Sequence, residues 1–235
     1  MAKNIIVTAS KVKWWHSFGK KLKIAVLLLL LLLIIIYIVL KFSINNGSFY
    51  VSIKDNDQLE SGLAVYESQK DPTPKRELVA ENLQFMDNIS IKWLPENIHN
   101  EAEGSHNGDN YIAYTFYVEN QSDNIFNYWY EIYIDDVIKN VDEATRIMII
   151  LNDQKTVYAK TNRIDGRPEK DTTPFLNNND GMVILEERKN LTPGLIDKIT
   201  VVIWIEGDDP DCIDALIGGQ LKLHMDITEE HINTK

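Results

Sequence analysis

Residues 126–134 read FNYWYEIYI, and this stretch decides the fold. Phe126, Tyr128, Tyr130, Ile132 and Ile134 fall on one side of an extended chain, and Asn127, Trp129, Glu131 and Tyr133 on the other. Side chains on a strand alternate with a period of two, so the pattern predicts a strand with one face in a core. Aromatic and β-branched residues fit such a pleated, half-buried surface.

The same period recurs on both sides of this stretch. It predicts strands at Phe49–Ile53, Leu78–Met86, Ile89–Leu94, Tyr111–Glu119, Thr145–Leu151, Thr156–Lys160, Met182–Arg188, Lys198–Glu206 and Gln220–Ile227. Turn dipeptides separate them: Asp87-Asn88, Asn152-Asp153, Asp165-Gly166, Asp180-Gly181 and Pro193-Gly194. So many short strands predict an all-β sandwich or barrel. Two short helical insertions are expected. In Asp136–Ala144, Val137, Val141 and Ala144 share one helical face. In Pro210–Ile217, Asp209 suits the cap, Pro210 the first position, and Gly218-Gly219 the end. Lys70–Glu77, Asn97–Asn110 and Thr161–Asn179 read as mobile loops.

The N-terminal end is different in kind. Ile24–Leu40, IAVLLLLLLLIIIYIVL, holds no charge over 17 residues, about 25 Å of helix. Leu22 and Phe42 extend it if Lys23 and Lys41 snorkel. This predicts a membrane-inserting segment over 24–42. Six lysines precede the run and one follows, which keeps residues 1–23 in the cytoplasm and sends the remainder across. Trp14, Trp15 and Phe18 among lysines fit an interfacial stretch on anionic lipid or an ordinary basic signal region. The exit, LKFSINNGSFYVS, lacks the small-residue cleavage pattern, so a retained single-pass anchor is favoured over a cleaved signal. The expected organisation is a cytoplasmic segment (1–23), an anchor (24–42), a stalk with a candidate first strand (43–77), a sandwich (78–228) and a tail (229–235).

Charge divides at the same place. The first 41 residues hold seven lysines and no acid, so the −11 net charge of all 235 residues leaves −18 on the rest. A body this acidic lacks the cationic face that nucleic acid requires. The single cysteine, Cys212, excludes an intrachain disulfide framework and a multi-Cys zinc site.

The densest candidate site is Glu206, Asp208, Asp209, Asp211 and Asp214. Hard cations such as calcium take six to eight oxygens, but the spacing is not that of an EF-hand. Helix capping and solvation also account for these acids, and are favoured. Asp55, Asn56, Asp57 and Glu60 form a weaker group. His99, His106, His224 and His231 show no zinc-hydrolase spacing. Cys212 reads as structural, because the surrounding acids oppose its ionisation. Gly218-Gly219 is no phosphate loop, and no G-x-S-x-G elbow occurs.

Over Val202–Ile227, VIWIEGDDPDCIDALIGGQLKLHMDI, the sequence resembles exported Firmicute proteins related to the biofilm fibre protein TasA and to camelysin. Trp204, Glu206, Gly207, Asp211, Cys212, Gly218 and Gly219 carry the likeness, with Tyr111–Asn120 and Asp142–Arg146 supporting it. The resemblance implies a jelly-roll-like β-sandwich outside the cell. It also implies assembly in which an N-terminal strand is lent to a neighbour. On this reading the protein is a non-enzymatic surface or matrix protein without a cofactor. Its partners are the lipid bilayer and copies of itself or other envelope proteins. Phe49, Val51 and Ile53 are the strand-donor candidates. The alternative is an anchored metal-dependent hydrolase of the camelysin type, with calcium or zinc.

Overall fold

The computed structural model describes residues 18, 21–37, 48–54, 62–177 and 180–231. The chain divides into two units, Met1–Asn46 and Gly47–Lys235. In the first, residues 21–37 form a helix whose residues are all exposed. Among the described residues no helix is long and apolar enough to cross a membrane. The helix covers 24–37 of the expected span, and 38–42 lie outside the described residues.

The second unit is a sandwich of two sheets. Its strands are β1 (Phe49–Ile53), β2 (Leu63–Tyr66), β3 (Glu77–Val79), β4 (Gly104–Ser105), β5 (Ile112–Asn120), β6 (Phe126–Ile138), β7 (Thr145–Leu151), β8 (Gln154–Ala159), β9 (Thr173–Pro174), β10 (Met182–Leu191), β11 (Ile196–Ile205) and β12 (Gln220–His231). One sheet runs β10-β6-β12-β1-β3 and the other β2-β5-β11-β7-β8-β9, with β4 beside β5. Most neighbours are antiparallel, but β1 lies parallel to β12.

Alternation along the strands sets the core. Phe126, Tyr128, Tyr130 and Ile132 turn inward from β6, as their spacing predicts, to meet Tyr114, Phe116 and Val118 of β5 and Met225 and Ile227 of β12. A second, smaller core lies on the outer side of the other sheet. There Ala113, Met148, Ile150, Val202 and Trp204 are covered by Ile89, Leu94 and Ile98.

That cover corrects two expectations. Leu78–Met86 is extended only over β3, and Ile89–Leu94 holds a 3-10 turn at Ile91–Trp93 instead of a strand. Its apolar residues are periodic because they bury against a sheet face, not because they pair. Asn97–Asn110, read as a mobile loop, is pinned by Ile98, which is fully buried.

The two helices also give way. β6 continues to Ile138 because it pairs with β12 as far as Gln220. Lys139 and Asn140 then turn with positive φ, leaving a 3-10 turn at Val141–Glu143. In 210–217 only Asp214–Leu216 is helical, again 3-10. The supposed stalk contributes β1 and β2 to the body, which begins at Gly47, and β12 runs into the supposed tail. Pairing partners far away in sequence fix these boundaries, and local composition does not reveal them.

Candidate functional site

The acidic loop between β11 and β12 sits where four segments meet. Ile205 ends β11 opposite Thr145, the start of β7. Beyond it, Glu206 accepts hydrogen bonds from the indole Nε1 of Trp204 and the backbone N of Ile91, each at 3.0 Å. One acid therefore ties the sheet to the covering segment. Asp208 accepts from Ser90 Oγ at 2.8 Å and extends that tie.

Asp209 and Asp211 do different work. The side chain of Asp209 is fully buried and paired with the guanidinium of Arg146 on β7. Its other oxygen accepts from the backbone N of Asp211 at 2.7 Å, a local turn that replaces the expected helix cap. Asp211 reaches across to the next loop, accepting from the backbone N of Arg163 at 2.8 Å. Glu169, on that same loop, lies 4.0 Å from Arg146 and accepts from Asn162 Nδ2.

Glu169, Asp209 and Asp211 bring carboxylate oxygens within 4.8 Å of one another, the geometry of a cation site. Arg146 is the counter-charge to Asp209 and, at 4.0 Å, to Glu169, while Arg163 lies 3.8 Å from Asp211. The expected cluster is thus divided: Glu206 and Asp208 hold one loop, Asp209 and Asp211 another, and Asp214 is exposed. Glu169 and Arg146 complete the arrangement, and neither belongs to the local acid run. Only the pairing of β7 with β11 brings Arg146 here.

The strand-donor candidates lie in the other sheet. β1 is seated between β12 and β3, with Phe49 opposite Leu223, Val51 opposite Met225 and Ile53 opposite Ile227. Phe49 and Val51 are fully buried, and Ile53 packs against the same core. The Phe49 ring meets Tyr114 edge-on at 6.4 Å. On the outer side, His224 is stacked between Tyr50 at 5.1 Å and Tyr133 at 4.8 Å, and its Nδ1 lies 2.7 Å from Asp135. The faces of these rings cover one another, so this aromatic row holds three strands together and presents ring edges outward.

The remaining histidines are apart. His106 bonds to Thr115 Oγ1 at 2.9 Å, and burial pulls its pKa below the ordinary value despite Glu101 nearby. His99 lies 3.1 Å from Asp153. Cys212 is half-buried and accepts from Asn88 Nδ2. The group at Asp55, Asn56, Asp57 and Glu60 lies outside the described residues. Where the segments after β2 and β3 meet the turn at 98–105, an open polar cleft is lined by Glu67, Glu81, Glu101, Glu103, Lys70 and Lys198. Glu103 accepts from Ser68 Oγ and Tyr117 Oη there, and these bonds hold its carboxyl below the usual range against the opposing effect of burial.

No protein-family model and no curated protein matches the chain. Among solved structures, a β-glucosidase from Kluyveromyces marxianus in complex with glucose aligns with a TM-score of 0.29 at 9% identity, over 73% of this chain and 16% of that one. A selenomethionine form of the Kluyveromyces marxianus β-glucosidase gives 0.24 at 10%, over 74% and 18%. The chain spans less than a fifth of either enzyme, and similarity this low assigns neither their fold nor their activity to it.

Proposed function

We propose that this is a non-enzymatic surface protein of the TasA-like kind. An anchor over 24–42 holds it in the cell membrane, residues 1–23 lie in the cytoplasm, and the acidic sandwich is displayed outside the cell. A jelly-roll-like connectivity and a structural or matrix role follow from the same resemblance. If the apolar segment is cleaved, the body is secreted. The single observation that carries the reading is the seating of β1. The first strand after the apolar segment is not a loose stalk; it fills a slot between β12 and β3 with Phe49 and Val51 as its buried plugs. Such a strand is the natural element to exchange between copies, because a neighbour's β1 would make the same contacts.

The test is the mass of the mature chain in membrane and medium fractions of the native host. Full-length protein confined to the membrane supports anchored display. A species beginning between about Ser43 and Ser48 in the medium shows signal cleavage and the secreted matrix form. Full-length protein in the cytosol refutes both.

A further inference from the structure

The end of the sandwich at which the chain enters is ringed by exposed apolar side chains, and strand directions identify that end. Ser48 precedes β1, and its backbone oxygen accepts from Leu223 N near the start of β12. β3 is antiparallel to β1, so the segment after it, from Ala80, leaves at the same end, with Ser48 Oγ bonded to Asn82. β6 is antiparallel to β12 and finishes there with Ile138 opposite Gln220. β7 begins there, next to the last residue of β11, and β8 finishes there, with Ala159 opposite Arg146.

Segments 80–90, 138–144, 160–172 and 206–219 share this end with the segments that lead into β5 and β10, since Ile112 lies opposite Ile203 and Met182 opposite Tyr133. Each of the first four presents a bulky apolar residue to solvent. Ile164 is 83% exposed, Phe85 71%, Ile217 69%, Ile213 44% and Ile138 41%. At the opposite end Ile125 at 49% and Leu195 at 40% match Ile213 and Ile138, but neither reaches the exposure of Ile164, Phe85 or Ile217. Trp93, the other strongly exposed ring, lies in the 3-10 turn of the segment covering the outer core. The apolar residues stand singly, and basic groups lie beside two of them: Lys139 next to Ile138, and Arg163 next to Ile164.

We infer that this end rests on a lipid bilayer, with Phe85, Ile138, Ile164, Ile213 and Ile217 dipping into the interface. The inference deepens the anchored reading above and rests on it. Five residues, 43–47, separate the expected span from Ser48, at most about 18 Å of extended chain. A bilayer holding the span thus lies within reach of this end. Isolated apolar side chains, two of the five with a cation beside them, suit the headgroup boundary, where each buries its apolar part and the charges stay in water. The high negative charge of the chain after residue 41 means that attachment is apolar, so anionic lipid does not strengthen it. The consequence is a fixed posture: the chain-entry end faces the membrane and the opposite loops face outward.

The experiment uses the full chain with Cys212→Ser, reconstituted into phosphatidylcholine vesicles. A fluorophore is placed at Ile164→Cys, at Ile217→Cys or, as reference, at Leu195→Cys. Quenching by a nitroxide carried near the lipid headgroup is expected to be at least threefold stronger at positions 164 and 217 than at 195. Equal quenching at all three positions, in chains that float with the vesicles after an alkaline wash, overturns the docked posture and leaves the anchor intact. Failure to float removes the anchor itself. Label-to-label energy transfer between copies at position 164, without lipid quenching, assigns this end to a second copy of the chain and also overturns the inference.

Discussion

Replacing Phe49 by Ala tests whether β1 is part of the folded body. The ring is fully buried in the main core and lies edge-on to Tyr114. Truncating such a side chain costs about 3–5 kcal/mol, including the cavity it leaves. The edge-to-face pair accounts for roughly 0.5–1.5 kcal/mol of that. For a body of this size each kcal/mol lowers Tm by about 2–4 °C, so the expected fall is roughly 6–20 °C. Circular dichroism and denaturant melts of the full chain in detergent would read it. Tyr50→Ala, one residue away on the outer face, loses a stack on His224 but no core contact, and its fall should be well under half as large. If Phe49→Ala melts within about 2 °C of the unaltered chain, β1 is not seated in any body, its own or a neighbour's, and the structural basis of the proposed function fails.

Further outcomes follow from particular contacts. Ser52 and Asp226 are register partners on the outer face, so Ser52→Cys with Asp226→Cys should form a disulfide on mild oxidation; intrachain monomers on a non-reducing gel show β1 at home, and disulfide dimers show it exchanged. Arg146→Met should cost about 3–5 kcal/mol by leaving buried Asp209 unpaired, and Arg146→Met with Asp209→Leu should recover most of that in a denaturant melt. Calcium at millimolar levels should move the Tm of the unaltered chain by less than about 1 °C, since Arg146 and Arg163 already lie against the carboxylates; a shift of several degrees would show a bound ion. Glu103 has a depressed pKa in the fold, so the unfolded chain takes up its proton first and stability falls as pH drops below 4.5; Glu103→Gln should flatten that limb of the pH–stability curve. Burial likewise lowers the pKa of His106, so stability is lost as pH falls below 6.5 while the unfolded imidazole charges, and His106→Gln should reduce the slope there.

What the sequence disclosed depended on whether a signal was local. The alternation in 126–134 is a property of one strand, and it predicts the burial of Phe126, Tyr128, Tyr130 and Ile132 without knowledge of their partners. The segment 85–100 has similar apolar residues, but they cover Trp204 and Met148 from outside the sheet. Periodicity cannot separate pairing from covering. The acid run 206–214 is visible as a cluster, but the sequence does not show that Arg146, sixty residues earlier, pairs with its buried Asp209. The strand at Leu63–Tyr66 was missed because all four of its residues are buried, which removes the alternation that marks a one-sided strand.

The sheet edges bear on how copies of this body could join. The four strands that end the two sheets each resist open addition, and β4, beside β5, has only two residues. β9 is Thr173–Pro174, and proline has no N–H to offer. β3 has three residues, and β2 has four, one of them already accepting from Lys75 N on its free side. β10 is longer, but it carries Glu186, Glu187, Arg188 and Lys189, and its register breaks at both ends. Charges, irregularity and shortness are the devices that keep edges from pairing with strangers. Assembly through a sheet would therefore have to proceed from inside it. β1 and β12, the first and last strands, each combine a terminal position with two strand neighbours, and β1 is the shorter, five residues against twelve; exchanging it between copies creates no new contact and leaves none unmade. The free-energy difference between monomer and exchanged assembly then rests on the connection 54–62 and on concentration. Shortening that connection by three residues should hinder β1 from folding back onto its own body and shift the population toward exchanged species in sedimentation profiles. An unchanged monomer fraction would show that β1 belongs only to its own chain.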